Sequence, residues 1–133
     1  MTGFHHIRLE LAREAGHPGG DSGDGWDLVA ALDDQGLLDL EACRADPERC
    51  FVRRFMEHET VATGHLRHGL GNRWLLDLDG RDDLDATGFR FGEERFVLGE
   101  YVSIVSSNGK THTYCVKQLG PVDVDAEVGQ AMR

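Results

Sequence analysis

The segment that most restricts the fold is residues 96–119, FVLGEYVSIVSSNGKTHTYCVKQL. Asn108-Gly109 is the dipeptide best suited to a two-residue hairpin turn, because both central positions of that turn need φ > 0. Tyr101-Val102-Ser103-Ile104-Val105 before it and Thr111-His112-Thr113-Tyr114-Cys115-Val116 after it are rich in β-branched and aromatic residues, which is strand composition. With Asn108 and Gly109 as the whole loop, Val102 faces Cys115, Ile104 faces Thr113 and Glu100 faces Lys117 on one side of the ribbon. Tyr101 then faces Val116, Ser103 faces Tyr114 and Val105 faces His112 on the other. This register matches apolar residues and closes the open end with an opposite-charge pair. Both faces carry apolar residues, so neither is freely solvated, and a small barrel or sandwich suits such a ribbon best.

The rest of the chain reads in the same idiom. Ile7, Leu9 and Leu11 alternate with His6, Arg8 and Glu10, the pattern of a half-buried strand. The glycine-rich run 16–25 reads as a flexible loop, after which Trp26, Leu28, Ala30 and Leu32 are in phase for a second strand. Asp39 is placed to cap a short helix over 40–45, which must end before Pro47. Residues 50–56 are strand-like, although Arg53 and Arg54 leave the inward face of that strand open, and Glu57-His58-Glu59 is a polar turn. A hairpin with the three-residue loop Leu70-Gly71-Asn72 sets Leu66 against Leu76, His68 against Trp74 and Gly64 against Leu78 on the core face. The same register sets His65 across from Asp77 on the other face, whereas a two-residue loop would oppose Leu66 to Asp77. Residues 80–87 form an acidic connection, and Phe89, Phe91, Phe96 and Val97 lead into the Asn108-Gly109 hairpin. About eight strands, one short helix and no βαβ alternation predict an all-β domain over 1–122. Its expected form is a small antiparallel β-barrel or sandwich with room for SH3-like elements. Residues 123–133 read as an acidic tail, disordered or a short helix.

Composition narrows the function classes. At 133 residues, with 40% apolar and 29% charged residues, the chain is sized for one globular domain. Its longest apolar run, residues 28–32, falls far short of the roughly 20 residues a membrane helix needs. The first eleven residues alternate charged and apolar side chains and lack the apolar core of a signal peptide. A net charge of −10 opposes phosphate backbones and anionic lipids, so neither nucleic acid nor a membrane is an expected partner. Arg44, Arg49, Arg53 and Arg54 are the candidate for a local basic patch. Cys43, Cys50 and Cys115 are odd in number and lack a CxxC spacing, which suggests reduced thiols and a cytoplasmic setting. Monomer and homodimer are equally compatible with the sequence.

Several groupings could carry chemistry, and each has a plainer reading. The run 16–25 invites comparison with a phosphate cradle, but it lacks the Lys-Ser/Thr pair, contains Asp21 and Asp24, and leads into a strand. Residues 77–85 hold five carboxylates in nine residues, hard oxygen ligands of the kind that suits Ca²⁺. Glycine falls at the fourth position and Arg81 sits inside, however, so a solvated acidic turn is expected. His65 and His68, with Asp77 and Asp79, are the candidate metal ligands, yet an HxxH pair on a strand points to opposite faces. Cys43, Cys50, His58 and His65 would need to converge in space to hold zinc. His65 with Asp77 is the sharpest catalytic candidate, since a carboxylate across from an imidazole orients it and raises its basicity. No serine lies in a GxSxG elbow, and the expectation is an exposed cross-strand pair.

Leu98-Gly99-Glu100-Tyr101-Val102-Ser103-Ile104 is similar to a strand of the flavin-dependent reductase barrels. The Arg-x-Tyr-Ser flavin motif of that family is absent, as is a nicotinamide-binding domain, so no cofactor is expected. The same phrase resembles the opening strand of SH3-like barrels, which bind peptides or RNA. Taken with His6-Ile7-Arg8-Leu9-Glu10-Leu11-Ala12-Arg13 and Arg90-Phe91-Gly92, it looks like a family of small bacterial β-rich proteins without known activity. That resemblance supplies no site residues. The functional expectation is a non-enzymatic cytoplasmic module that binds a protein or small-molecule partner. The alternative is a small hydrolase or metal-dependent enzyme built on His65 and Asp77.

Overall fold

Strand side chains alternate between two faces, and in this chain the apolar alternates converge on the inside of one closed wall. The computed structural model describes residues 3–14, 16–71 and 73–122. Its strands are β1 (Gly3–Leu11), β2 (Asp21–Leu32), β3 (Phe51–Met56), β4 (Glu59–His68), β5 (Trp74–Leu78), β6 (Ala86–Gly88), β7 (Tyr101–Ser106) and β8 (Thr111–Pro121). Each pairs antiparallel with the next, and β8 returns to β1, so the sheet closes into a barrel with its strands in sequence order. The all-β expectation holds, and closure removes the exposed edges that an open sheet of this size would present. No helix among the described residues is long and apolar enough to cross a membrane. The expected acidic tail, 123–133, lies outside the described residues.

Ile7, Leu9, Leu28, Val52, Leu76, Leu78, Val102 and Val116 are almost wholly removed from water and fill the barrel. Eight strands enclose a space just wide enough for side chains of this size. One end is plugged. Leu38, Phe91 and Phe96 are buried there, the two phenylalanines meeting edge to face at 5.1 Å. Phe91 fits because Gly88 has no side chain, since a Cβ on that residue would lie 2.3 Å from the Phe91 ring. The helix α1 (Leu40–Ala45) packs on the same end. As expected, the Asp39 carboxylate accepts from the Ala42 N–H at 3.0 Å, and the helix stops at Asp46 before a 3-10 turn, Pro47–Arg49.

Two registers test the turn chemistry. The β4–β5 pairing is the one read from the sequence: Gly64 opposite Leu78, His65 opposite Asp77, Leu66 opposite Leu76 and His68 opposite Trp74. The β7–β8 pairing is displaced by one residue from the expected one. Val102 faces Tyr114, Ile104 faces His112 and Tyr101 faces Cys115. Asn108-Gly109 therefore belongs to a three-residue loop with Ser107. The Ser106 N–H donates to Lys110 O, and Gly109 takes the left-handed conformation at φ 85°. A type I turn followed by a left-handed glycine is the alternative hairpin solution. It places His112, Tyr114 and Val116 inside the barrel and removes the expected Glu100–Lys117 pairing. A second difference is that β2 begins at Asp21, so half of the expected glycine-rich loop is strand.

β6 is only three residues long, which would leave part of β7 without a ladder partner. Glu94 fills the gap: its Oε2 accepts from the Ser103 N–H at 3.0 Å, while Oε1 is buried without a partner. Burial pushes the Glu94 carboxyl above its ordinary range, Glu93 adding to the effect, although the Ser103 bond and Arg90 pull the other way. On the outer face of β1–β3, Asp27 is buried at 2% exposure beneath its neighbours' cationic side chains. His6 Nε2 lies 2.8 Å from Oδ1, Arg53 Nη1 donates to Oδ2, and Arg8 Nη1 lies 3.6 Å from Oδ2. Burial raises this carboxyl, but the His6 hydrogen bond and charge, with Arg53 and Arg8, outweigh it and hold Asp27 below the usual carboxylate range.

Candidate functional site

The unplugged end of the barrel is where polar side chains face inward. Trp26 pairs with Arg54 in the β2–β3 register, Val102 with Tyr114 and Ile104 with His112 in the β7–β8 register, all with the phase of the core. Here the alternation brings an arginine, a tyrosine and a histidine to the lip of an otherwise apolar interior. With Ser106 and Met56 they line a cavity of about 240 Å³.

Arg54 is held by one nitrogen. Its Nη1 donates to Asp24 Oδ1 at 2.6 Å, to Gly25 O at 3.0 Å and to Phe55 O at 2.9 Å, and its guanidinium lies 5.3 Å over the Trp26 ring. This bonding positions the group firmly and desolvates one edge of it. Opposite, His112 Nδ1 lies 3.1 Å from Glu14 Oε1. Tyr114 is 3% exposed, and burial raises its hydroxyl above the ordinary tyrosine value. Arg54 lowers it, Asp24 and Glu14 raise it, and the nearby Trp26 N–H lowers it. That N–H approaches Tyr114 without the geometry of a hydrogen bond: Trp26 is 2% exposed, and its Nε1 is buried with no partner among the described residues. A buried donor left unpaired costs about 1–3 kcal/mol, and this one belongs to a residue that lines the cavity.

Charge sorts what such a cavity accepts. Arg54 neutralises Asp24 and Arg81 neutralises the rim Asp83, which leaves Glu14, beside His112, as the carboxylate there without a fixed cationic partner among the described residues. A flat molecule that is neutral or weakly basic suits that field better than an anion does. A larger groove, about 730 Å³, runs over the outer face near the 12–20 loop. Glu10, Asp21, Arg13 and Lys117 line it with charges of both signs, and none of its lining residues has a buried, unpaired polar atom. We place the site at the barrel mouth for that reason.

The residues singled out from sequence lie elsewhere. His65 and Asp77 are opposite each other on the outer face, but their side chains have separate partners: His65 Nε2 is 3.4 Å from Glu48 Oε2, and Asp77 Oδ2 accepts from Arg67 Nε at 2.9 Å. His68 points to the opposite face from His65 and meets Trp74 edge to face at 5.0 Å. Among the described residues one group could gather a cation, Asp77 with Asp82 and Asp85, whose carboxylate oxygens lie within 4.8 Å of one another. His65, His68 and Asp79 do not belong to it. Asp77 is engaged by Arg67, and Asp85 Oδ1 accepts from the Leu78 N–H at 2.8 Å, which is what a structured acidic turn requires. Cys43, Cys50, His58 and His65 do not form a metal cluster among the described residues. The mouth residues gave one sequence signal: Arg53-Arg54 in a strand obliges one arginine to face inward.

No family model matches the chain, and no curated protein or solved structure matches it.

Proposed function

We propose that the protein is a non-enzymatic binding module that receives a small, flat, neutral or weakly basic molecule at the open mouth of its barrel. The observation that carries this reading is the 240 Å³ cavity whose wall brings Arg54, Tyr114 and His112 together with Trp26 at the open end of an otherwise apolar barrel. A ligand acceptor would meet Arg54 in that wall, and a ligand donor would meet Ser106, Asn108 and Asp83. Arg54 stacked on Trp26 supplies a preorganised wall. The cavity is below the usual range for drug-sized ligands, roughly 300–1,000 Å³, and suits a single ring.

The arginines argue against nucleic acid as the partner. Arg53 and Arg54, adjacent in sequence, go to opposite sides of the barrel wall and each pairs with an aspartate. Arg49 lies over Phe4 at 4.9 Å, and Arg44 is on α1. They form no stripe. A cytoplasmic setting agrees with the three cysteines, all of them unlinked.

The test is a titration followed by the Trp26 indole N–H resonance, assigned with Trp26→Phe. The probes are 2-aminopyridine and 2-aminopyrimidine, with benzoate as the anionic comparison. A saturable shift with Kd of about 3 mM or tighter is expected for the first two, since about 0.5 kcal/mol for each of their seven heavy atoms is reachable for a fragment. Benzoate should bind more weakly, and Arg54→Met should weaken all three. No shift at about 10 mM, or a preference for benzoate, would refute the assignment.

A further inference from the structure

At the plugged end, a cleft of about 290 Å³ lies between α1 with its 3-10 turn and the end of the β4–β5 hairpin. Leu66 and Trp74, the core residues that line it, are each 3% exposed, so what they offer the cleft is apolar. Leu40 of α1 and Pro47 of the 3-10 turn add apolar surface from one side. Arg67 and His68, the last two residues of β4, line it from the other.

Charge sets this cleft apart from the other two cavities described. The chain carries 24 Asp and Glu against 14 Lys and Arg, and Asp83 lines the mouth while Glu10 and Asp21 line the outer groove. Neither Asp nor Glu lines the cleft, and its charged residues are Arg44 and Arg67. Arg67 is matched by Asp77 at 2.9 Å. Arg44, exposed in the last turn of α1, has no carboxylate partner among the described residues. The His68 imidazole, edge to face with Trp74, makes no hydrogen bond among them either. Solvation explains an exposed arginine on its own. In so acidic a chain, it does not explain an unmatched arginine at an apolar cleft that carboxylates avoid.

We propose that this cleft binds a small amphipathic carboxylate, a single ring or short acyl chain ending in one carboxyl group. Arg44 takes the carboxylate, and Trp74, Leu66 and Leu40 cover the apolar body. A guanidinium and a carboxylate form charge-assisted bonds, two in parallel where the geometry allows, and a ring N–H of His68 supplies a further donor. One unmatched arginine suits a monoanion. Inorganic phosphate brings up to two charges and no apolar surface for Trp74 and Leu66 to cover. The cavity stands at the lower end of the range for small-molecule sites, roughly 300–1,000 Å³, which limits the ligand to about one ring. The mouth, at the other end of the barrel, selects against anions, so the two sites take opposite chemistry.

A titration of the wild-type chain followed by the Trp74 indole N–H resonance tests this. The chain has two tryptophans, so Trp26→Phe identifies that resonance as the indole that remains. The probes are phenylacetate, its neutral isostere phenylacetamide, and inorganic phosphate. Phenylacetate is expected to shift the resonance saturably, with Kd of about 1 mM or tighter. Phenylacetamide should bind at least about five-fold more weakly, and phosphate should leave the resonance unmoved at about 10 mM. Arg44→Gln should weaken phenylacetate at least about five-fold and leave phenylacetamide as it was. No shift with phenylacetate at about 10 mM, equal affinity for acid and amide, or a phosphate shift matching that of phenylacetate would overturn the proposal. So would an Arg44→Gln protein that melts like the wild type and binds phenylacetate unchanged. Ligands of the mouth are read at Trp26, so either assignment can fail while the other stands.

Discussion

Replacing Asp27 by Asn tests the polar network that covers the outer face of β1–β3. The wild-type carboxylate is buried and receives His6 Nε2 at 2.8 Å together with Arg53, and Arg8 stands 3.6 Å away. Asparagine keeps the shape but loses the charge, and one of its two polar atoms becomes an N–H₂ facing a guanidinium. Removing one member of a fully buried ion pair costs about 3–5 kcal/mol. Arg53, His6 and Arg8 keep 19–22% of their side-chain surface in water. They can rehydrate in part, so about 2–3 kcal/mol is expected. For a domain of this size that lowers Tm by roughly 6–12 °C. The sign of the pH effect follows from Asp27 being held below its ordinary value: its contribution is complete above the unfolded pKa, about 3.9, and fades as pH falls through the lower folded pKa. Urea unfolding at several values between pH 7 and pH 3 should therefore show the gap between wild type and variant closing on the acid side. A cycle with Arg53→Gln should give a coupling of at least about 1 kcal/mol. A variant within about 0.5 kcal/mol of wild type at pH 7, or a gap that widens below pH 4, would show that Asp27 is not stabilised by its neighbours.

Three further outcomes follow from particular contacts. Glu94→Gln keeps an acceptor for the Ser103 N–H and removes a charge that burial disfavours. Because the folded Glu94 carboxyl is raised, the wild type loses stability as pH rises through its folded pKa, so the variant should be equal or more stable by up to about 1 kcal/mol at pH 7 in urea unfolding, with the difference vanishing near pH 4. Gly88→Ala would bring a Cβ to 2.3 Å from the Phe91 ring and should cost about 1–3 kcal/mol by overpacking, visible as a lower urea midpoint at unchanged slope. Glu57 and His58, the two loop residues between β3 and β4, have φ of 52° and 65°, so His58→Gly should raise stability by roughly 0.5–1 kcal/mol in the same assay.

Where local chemistry had one answer, the sequence was readable. The β4–β5 register followed from the need to gather Leu66, Leu76 and Leu78 on one face, and α1 from its aspartate cap and the proline beyond it. The β7–β8 register did not follow, because Asn108-Gly109 satisfies two hairpin geometries whose strands differ by one residue. In each of them both faces carry apolar residues, so the pattern could not choose. The same slip decided whether Tyr114 and His112 or their neighbours face inward, and with it half of the candidate site. His65 and Asp77 were correctly placed across from each other, yet register constrains Cα positions, and their side chains found Glu48 and Arg67 instead.

The sequence alone determined the alternation of most strands, the capped helix and the all-β class, since these depend on periods and turns a few residues long; β6 it did not, because Ala86–Gly88 is too short to show a period and lies at the end of the expected acidic connection. Only the closed barrel decided which alternate is inside. Arg53 and Arg54 are indistinguishable as neighbours in a strand. Closure sends Arg53 outward to Asp27, where the outer surface lets Arg8 and His6 share the charge. It sends Arg54 inward to Asp24 and Trp26, at the end that α1 and the phenylalanines do not plug. Glu14, Asp24, Arg54 and His112 meet at that mouth, though they are spread across most of the chain. No local preference encodes their meeting; the return of β8 to β1 does.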